Sequence, residues 1–113
     1  MVNLLDETLM VLKGLNKTIE DISWIGSAKT QEVCSWNKFA EMANFRYDNG
    51  YGSQEVRDDL VIVFNDGSFL HRREYDGSEW WEHAKTPERP EKFSTLLSVF
   101  HDDANPYPFV AGD

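Results

Sequence analysis

Leu5, Leu9, Leu12 and Ile19 recur near helical spacing with Leu15 on the flank, and this pattern predicts an amphipathic helix over residues 3–19. Gly14 lies inside it and weakens it by about 1 kcal/mol relative to alanine. In Asp21-Ile-Ser-Trp-Ile-Gly-Ser the β-branched and aromatic residues stop at a glycine, which predicts a short strand near residues 22–26. Ser35 can cap a second helix, Trp36 to Ala43, that turns Phe39, Met42 and Ala43 to one side with Trp36 close by. A helix of two turns cannot stand alone, so this one must lean on a core.

The segment Phe45-Arg-Tyr-Asp-Asn-Gly-Tyr-Gly-Ser reads as an ordered loop of the Ω type, its glycines supplying positive-φ turns. It is not a phosphate-binding loop, because no lysine followed by serine or threonine comes after the glycines. Leu60-Val-Ile-Val-Phe64 is an apolar run that ends at Asn65-Asp66-Gly67-Ser68, a hairpin signature. Phe69 to Tyr75 returns, Asp76-Gly77 turns again, and Glu79-Trp-Trp-Glu-His83 follows. These make a three-strand meander over about residues 58–84. Period two puts Leu60, Ile62 and Phe64 on one face and Val61 and Val63 on the other, so the first of these strands is expected to be central or covered on both sides.

After Thr86-Pro87-Glu-Arg-Pro90, the residues Phe93, Leu96, Leu97 and Phe100 form one stripe and predict a last helix. Residues 102–113 have no periodicity and read as a loosely ordered tail, although Tyr107, Phe109 and Val110 could pack back. The expectation is one α+β domain over residues 1–113: a small antiparallel sheet with N-terminal, middle and C-terminal helices packed mainly on one face. The middle helix falls between the first two expected strands.

Composition narrows the function. The 113 residues carry 11 Lys+Arg and 20 Asp+Glu, a formal charge of −9. That balance disfavours direct nucleic-acid binding. No run of apolar residues approaches a membrane span, and acidic residues interrupt the start Met1-Val-Asn-Leu-Leu-Asp-Glu too soon for a signal peptide, which points to the cytoplasm. The single cysteine, Cys34, has no second thiol or nearby histidine and reads as a small buried hydrophobe.

A catalytic constellation is not evident. No serine lies in a Gly-x-Ser-x-Gly elbow, and paired acids are too common in an acidic chain to mark general acid–base work. His101-Asp102-Asp103 offers metal-ligand types, but adjacent positions do not converge on one point, and the residues fit better as polar decoration near a helix end. No cofactor is implied. The charge itself is uneven: residues 46–84 hold nine acids against four bases, −5 of the −9. The same segment concentrates tyrosines and the pair Trp80-Trp81, which on a strand must point to opposite faces. Asp48, Tyr51, Glu55, Asp58, Asp59, Asp76, Glu79, Trp80, Trp81 and Glu82 are therefore the candidate partner-binding residues: acids to steer a basic protein and aromatics to anchor it. Arg72 and Arg73 alternate faces, and one of them facing the helices would need a buried carboxylate, from Glu79 or Glu82.

The stretch Asp59-Leu-Val-Ile-Val-Phe-Asn-Asp-Gly-Ser-Phe-Leu-His-Arg-Arg-Glu-Tyr-Asp-Gly-Ser-Glu-Trp-Trp-Glu82 resembles a core found in small uncharacterised proteins of phages and prophages. Single domains of this size and acidity are similar in character to anti-CRISPR and anti-restriction inhibitors. The resemblance implies a binding protein that blocks the basic, nucleic-acid-binding surface of a host protein or nucleoprotein complex, and it assigns no residue a role. An immunity protein against a toxin nuclease would use the same physics. A small metal-dependent hydrolase, built on His101, Asp102 and Asp103 or on the meander carboxylates, is the alternative from another class. An uncovered strand edge and a spare tryptophan could instead build a homodimer.

Overall fold

Asn3 starts the first helix by accepting the backbone N–H of Asp6 at 3.0 Å, which satisfies one of the free donors of the first turn. The computed structural model describes residues 1–87, 89–92 and 94–99. Strand β1 (Val2–Asn3) leads into α1 (Leu4–Gly14). The helix stops well short of the expected residue 19, because Asn16 takes a left-handed backbone (φ 57°). Lys17 N–H then bonds Leu12 C=O at 2.9 Å and Asn16 N–H bonds Lys13 C=O at 3.1 Å. This is a Schellman ending with asparagine where glycine is more usual. Ile19 falls instead in a single 3₁₀ turn, Ile19–Asp21, where the Thr18 N–H donates to the Asp21 carboxylate at 2.7 Å.

Strand β2 (Ile22–Ser27) pairs with β3 (Glu32–Cys34), a strand whose three residues lacked any legible pattern. The second helix, α2 (Trp36–Ala43), has the expected bounds, with Ser35 accepting Lys38 N–H at 3.1 Å. Because β3 precedes it, α2 follows the second strand of the large sheet and does not separate the first two. Next come β4 (Arg46–Tyr47), which pairs with β1, and a long loop to β5 (Val61–Phe64), β6 (Phe69–Tyr75) and β7 (Ser78–Ala84). The large sheet has five antiparallel strands in the order β3-β2-β5-β6-β7, so β5 is central.

Among the described residues the fold is thus α+β, with two α-helices, a five-stranded sheet and a two-stranded one. The expected third helix is not present in residues 94–99, which are irregular and leave Leu96 and Leu97 exposed. Phe93 and Phe100, the ends of its stripe, and the tail 102–113 lie outside the described residues. A short apolar stripe helps a helix only if a surface receives it, and Leu96 and Leu97 meet none among the described residues.

Both hairpin turns follow their residues. In the first, Gly67 at φ 87° lets Phe64 N–H reach Ser68 C=O at 2.8 Å. In the second, Asp76 and Gly77 both have positive φ, as a two-residue primed turn requires. The first hairpin's tip is also tied to the start of β2: Asn65 N–H donates to Asp21 C=O at 2.8 Å, and Lys17 bridges Asp66 at 2.8 Å while lying over the Phe64 ring.

Alternation sorts the sheet's two faces. Ile25, Ile62, Phe64, Leu70 and Trp81 point inward, where Leu4 and Leu12 of α1, Phe39 and Ala43 of α2, and Tyr47 and Val56 cover them. The opposite face carries Trp24, Val61, Val63 and Phe69, each only partly buried. Gly26 lies on that face beside β3, and a Cβ there would come 2.0 Å from the carbonyl oxygen of Glu32. Gly26→Ala is accordingly expected to push β3 off the sheet and destabilise the protein by about 1–3 kcal/mol in urea denaturation. Gly14→Ala, at a helix position with open space around it, should instead stabilise by up to about 1 kcal/mol in the same measurement.

Candidate partner-binding surface

Arg72 is on the inner face of β6, opposite Trp81 of β7, and its side chain is fully buried. A guanidinium in that position must be surrounded by acceptors. Nη1 donates to Glu7 of α1 at 3.0 Å, and Nη2 donates to Glu79 at 3.0 Å and to the Tyr47 hydroxyl at 2.9 Å. The plane also lies 4.9 Å from the Trp81 ring and 5.8 Å from that of Tyr47. Tyr47 in turn donates its hydroxyl to Glu7. Burial first, and then the Glu7 acceptor, raise the phenol far above its ordinary pKa, so it remains a donor. Trp81 completes the cluster through Nε1, which donates to Thr8 Oγ1 at 2.9 Å, and that hydroxyl donates to Leu4 C=O at 2.8 Å. Arg72 Nε has no partner among the described residues.

The cluster positions the loop after β4. Glu79 uses both carboxylate oxygens on it, accepting Glu55 N–H at 2.8 Å and Val56 N–H at 3.1 Å. Its own backbone N–H donates to Asn49 C=O at 2.8 Å. Inside the loop, Asp48 N–H donates to the Glu55 carboxylate at 2.9 Å and Gly50 N–H to Asp48 at 3.0 Å. Gly77 of the β6–β7 turn approaches Tyr51 and Gly52 so closely that a Cβ would be 3.3 Å from Gly52 N. The far end of the loop is held by Asp59, which accepts Ser27 Oγ at 2.7 Å and a forked pair of bonds from Arg57 at 2.9 and 2.8 Å. Arg57 and Ser27 hold the Asp59 carboxyl well below the usual carboxylate range.

The ten sequence-selected residues consequently divide. Asp48, Tyr51, Glu55 and Asp76 come together at the end of the β6–β7 hairpin. Asp58 and Asp59 lie at the opposite end of the loop, with Asp59 already engaged by Arg57. Trp80 and Glu82 are on the outer face, where Glu82 pairs with Arg73 at 3.1 Å. Glu79 and Trp81 must be withdrawn as contact residues: they are 1% and 6% exposed, because the inner phase of β7 turns them under α1 and the loop. Two further residues belong to the same surface. Glu74 and Tyr75 end β6 at the same turn, and their signal was position, since the residues flanking a tight Asp-Gly turn extend past the covering layer.

The hairpin end thus displays Tyr51 and Tyr75, 82% and 76% exposed, among Asp48, Glu55, Glu74 and Asp76. None of these four carboxylates is in an ion pair among the described residues, although Glu7, Glu32, Asp59, Asp66, Glu79 and Glu82 all are. No group of three or more metal-ligating side chains converges among the described residues, and His101, Asp102 and Asp103 lie outside them. No helix among the described residues is long and apolar enough to cross a membrane.

Arg72→Leu leaves Glu79 buried without its cation, so a loss of about 3–5 kcal/mol is expected in chemical denaturation. Arg73→Leu breaks an exposed pair on the opposite face and should cost no more than about 1 kcal/mol in the same assay. Compared with known proteins, the chain matches no family model, no curated protein and no solved structure.

Proposed function

We propose that this protein is a binding inhibitor of the anti-defence kind carried by phages, acting in the host cytoplasm on a basic, nucleic-acid-binding surface of a host complex. The observation that carries the reading is the hairpin end, where two exposed tyrosines stand among four carboxylates that have no cation partner among the described residues. Six acids elsewhere among the described residues are held in internal ion pairs; these four are not, and they are gathered around two exposed tyrosines, open to lysine and arginine side chains. Tyrosine supplies rigid contact area with a polar tip, and the surrounding acids raise the association rate of a positively charged surface. The loop is held at both ends, through Glu79 and Asp59, so little conformational entropy is lost on contact. An immunity protein would present the same features, and the identity of the target separates the two.

The test is capture from host lysate, identification of the target by mass spectrometry, and titration of the purified target against defined variants. Asp48→Asn, Glu74→Gln and Asp76→Asn combined should weaken affinity at least tenfold at low salt, and the wild-type affinity should fall steeply with ionic strength. Tyr51→Ala with Tyr75→Ala should mainly speed dissociation. Unchanged affinity in both variants would overturn the reading.

A further inference from the structure

The two edges of the large sheet are unequal. β3 has three residues, and Arg57 passes beside it to reach Glu32 at 3.3 Å. β7 has seven residues and contains neither proline nor lysine. Those are among the devices that usually blunt an exposed edge.

The register shows which β7 backbone groups face outward. Across a two-residue hairpin the flanking residues form a hydrogen-bonded pair, here Tyr75 and Ser78. Alternation then directs the N–H and C=O of Trp80, Glu82 and Ala84 toward β6, and those of Glu79, Trp81 and His83 away from it. The bond from Glu79 N–H to Asn49 C=O agrees with that phase and uses the first outward donor. No backbone bond among the described residues covers the outward groups of Trp81 and His83.

We propose that this open stretch of β7 receives an extended arginine- or lysine-containing segment of the target protein as a sixth strand. The basic character of the segment rests on the function proposed above, whereas its extended form rests on the edge itself. Backbone bonds to Trp81 and His83 supply register. Trp80, 38% exposed, stands beside this edge as an aromatic contact for a cation, and the unpaired hairpin-end acids lie at its start. A second copy of this chain fits poorly. Antiparallel pairing of two β7 strands through Trp81 and His83 would set Glu82 opposite its own counterpart, and each copy carries a charge of −9.

The test uses a nine-residue peptide of alternating arginine and valine as the probe, with ¹⁵N-labelled protein. Binding should shift the Trp81 and His83 amides and slow their hydrogen exchange, while Val33 on the β3 edge stays unchanged. His83→Pro removes an outward N–H that the β6–β7 ladder does not use, so the fold should persist and affinity should drop at least tenfold. The same peptide with alternate backbone nitrogens methylated should bind at least tenfold more weakly to the wild-type protein, a comparison that does not depend on any variant folding. Equal binding of the methylated peptide, shifts confined to the hairpin end, or dimerisation through β7 in sedimentation would overturn the proposal. Loss of binding in the Asp48, Glu74 and Asp76 variant with no loss in His83→Pro would reject the sixth strand and keep the acidic surface. The reverse would keep the strand and reject the acidic surface as its guide.

Discussion

A single buried guanidinium organises this molecule. Arg72 is the meeting point of α1 through Glu7, β4 through Tyr47, β7 through Glu79 and the ring of Trp81, and, one bond further, the loop that Glu79 grips. A charge inside a small domain is tolerated only when its partners are close and themselves satisfied. Here Glu79 has two backbone donors besides Arg72, and Glu7 has the Tyr47 hydroxyl. The polar cluster therefore dictates geometry where a purely apolar core would accept several packings: Glu79 binds two consecutive amides and thereby sets the path of the loop.

That constraint connects the core to the surface. With Glu55 and Val56 pinned from within, the tip of the loop has to lie against the β6–β7 turn, where glycine at position 77 permits the close approach. Two acidic segments far apart in sequence become one surface flanked by Tyr51 and Tyr75. Uneven edges follow from the same arrangement, because the loop caps only the beginning of β7 and continues toward Asp59 and Ser27 at the other side of the sheet.

Local chemistry made much of this legible. Ser35 capped α2 where its side chain suggested, the Asn-Asp-Gly-Ser and Asp-Gly segments turned as their φ preferences require, and the alternation of Leu60 to Phe64 matched a central strand. An arginine facing the helices needs a carboxylate partner, and both expected pairs form: Arg72 with Glu79 inside, Arg73 with Glu82 outside. Errors arose where the deciding contact was distant or unusual. Asparagine did glycine's work at the end of α1, three residues of β3 became a strand only because β2 offered them a ladder, and Leu96 and Leu97 formed no helix with no surface to meet among the described residues.

From the sequence alone came the class of fold, the turns, the capped α2 and the concentration of negative charge in residues 46–84, because propensity, periodicity and net charge are local quantities. Which acids are free and which are used internally was a tertiary decision. Glu79 and Asp76 look alike in the chain, yet one is buried against Arg72 and the other is exposed at a turn. Glu7 reaches that same arginine from 65 positions away. A carboxylate's role depends on which cation and how much water it meets, and only the folded arrangement of α1, the loop and the hairpin sets those.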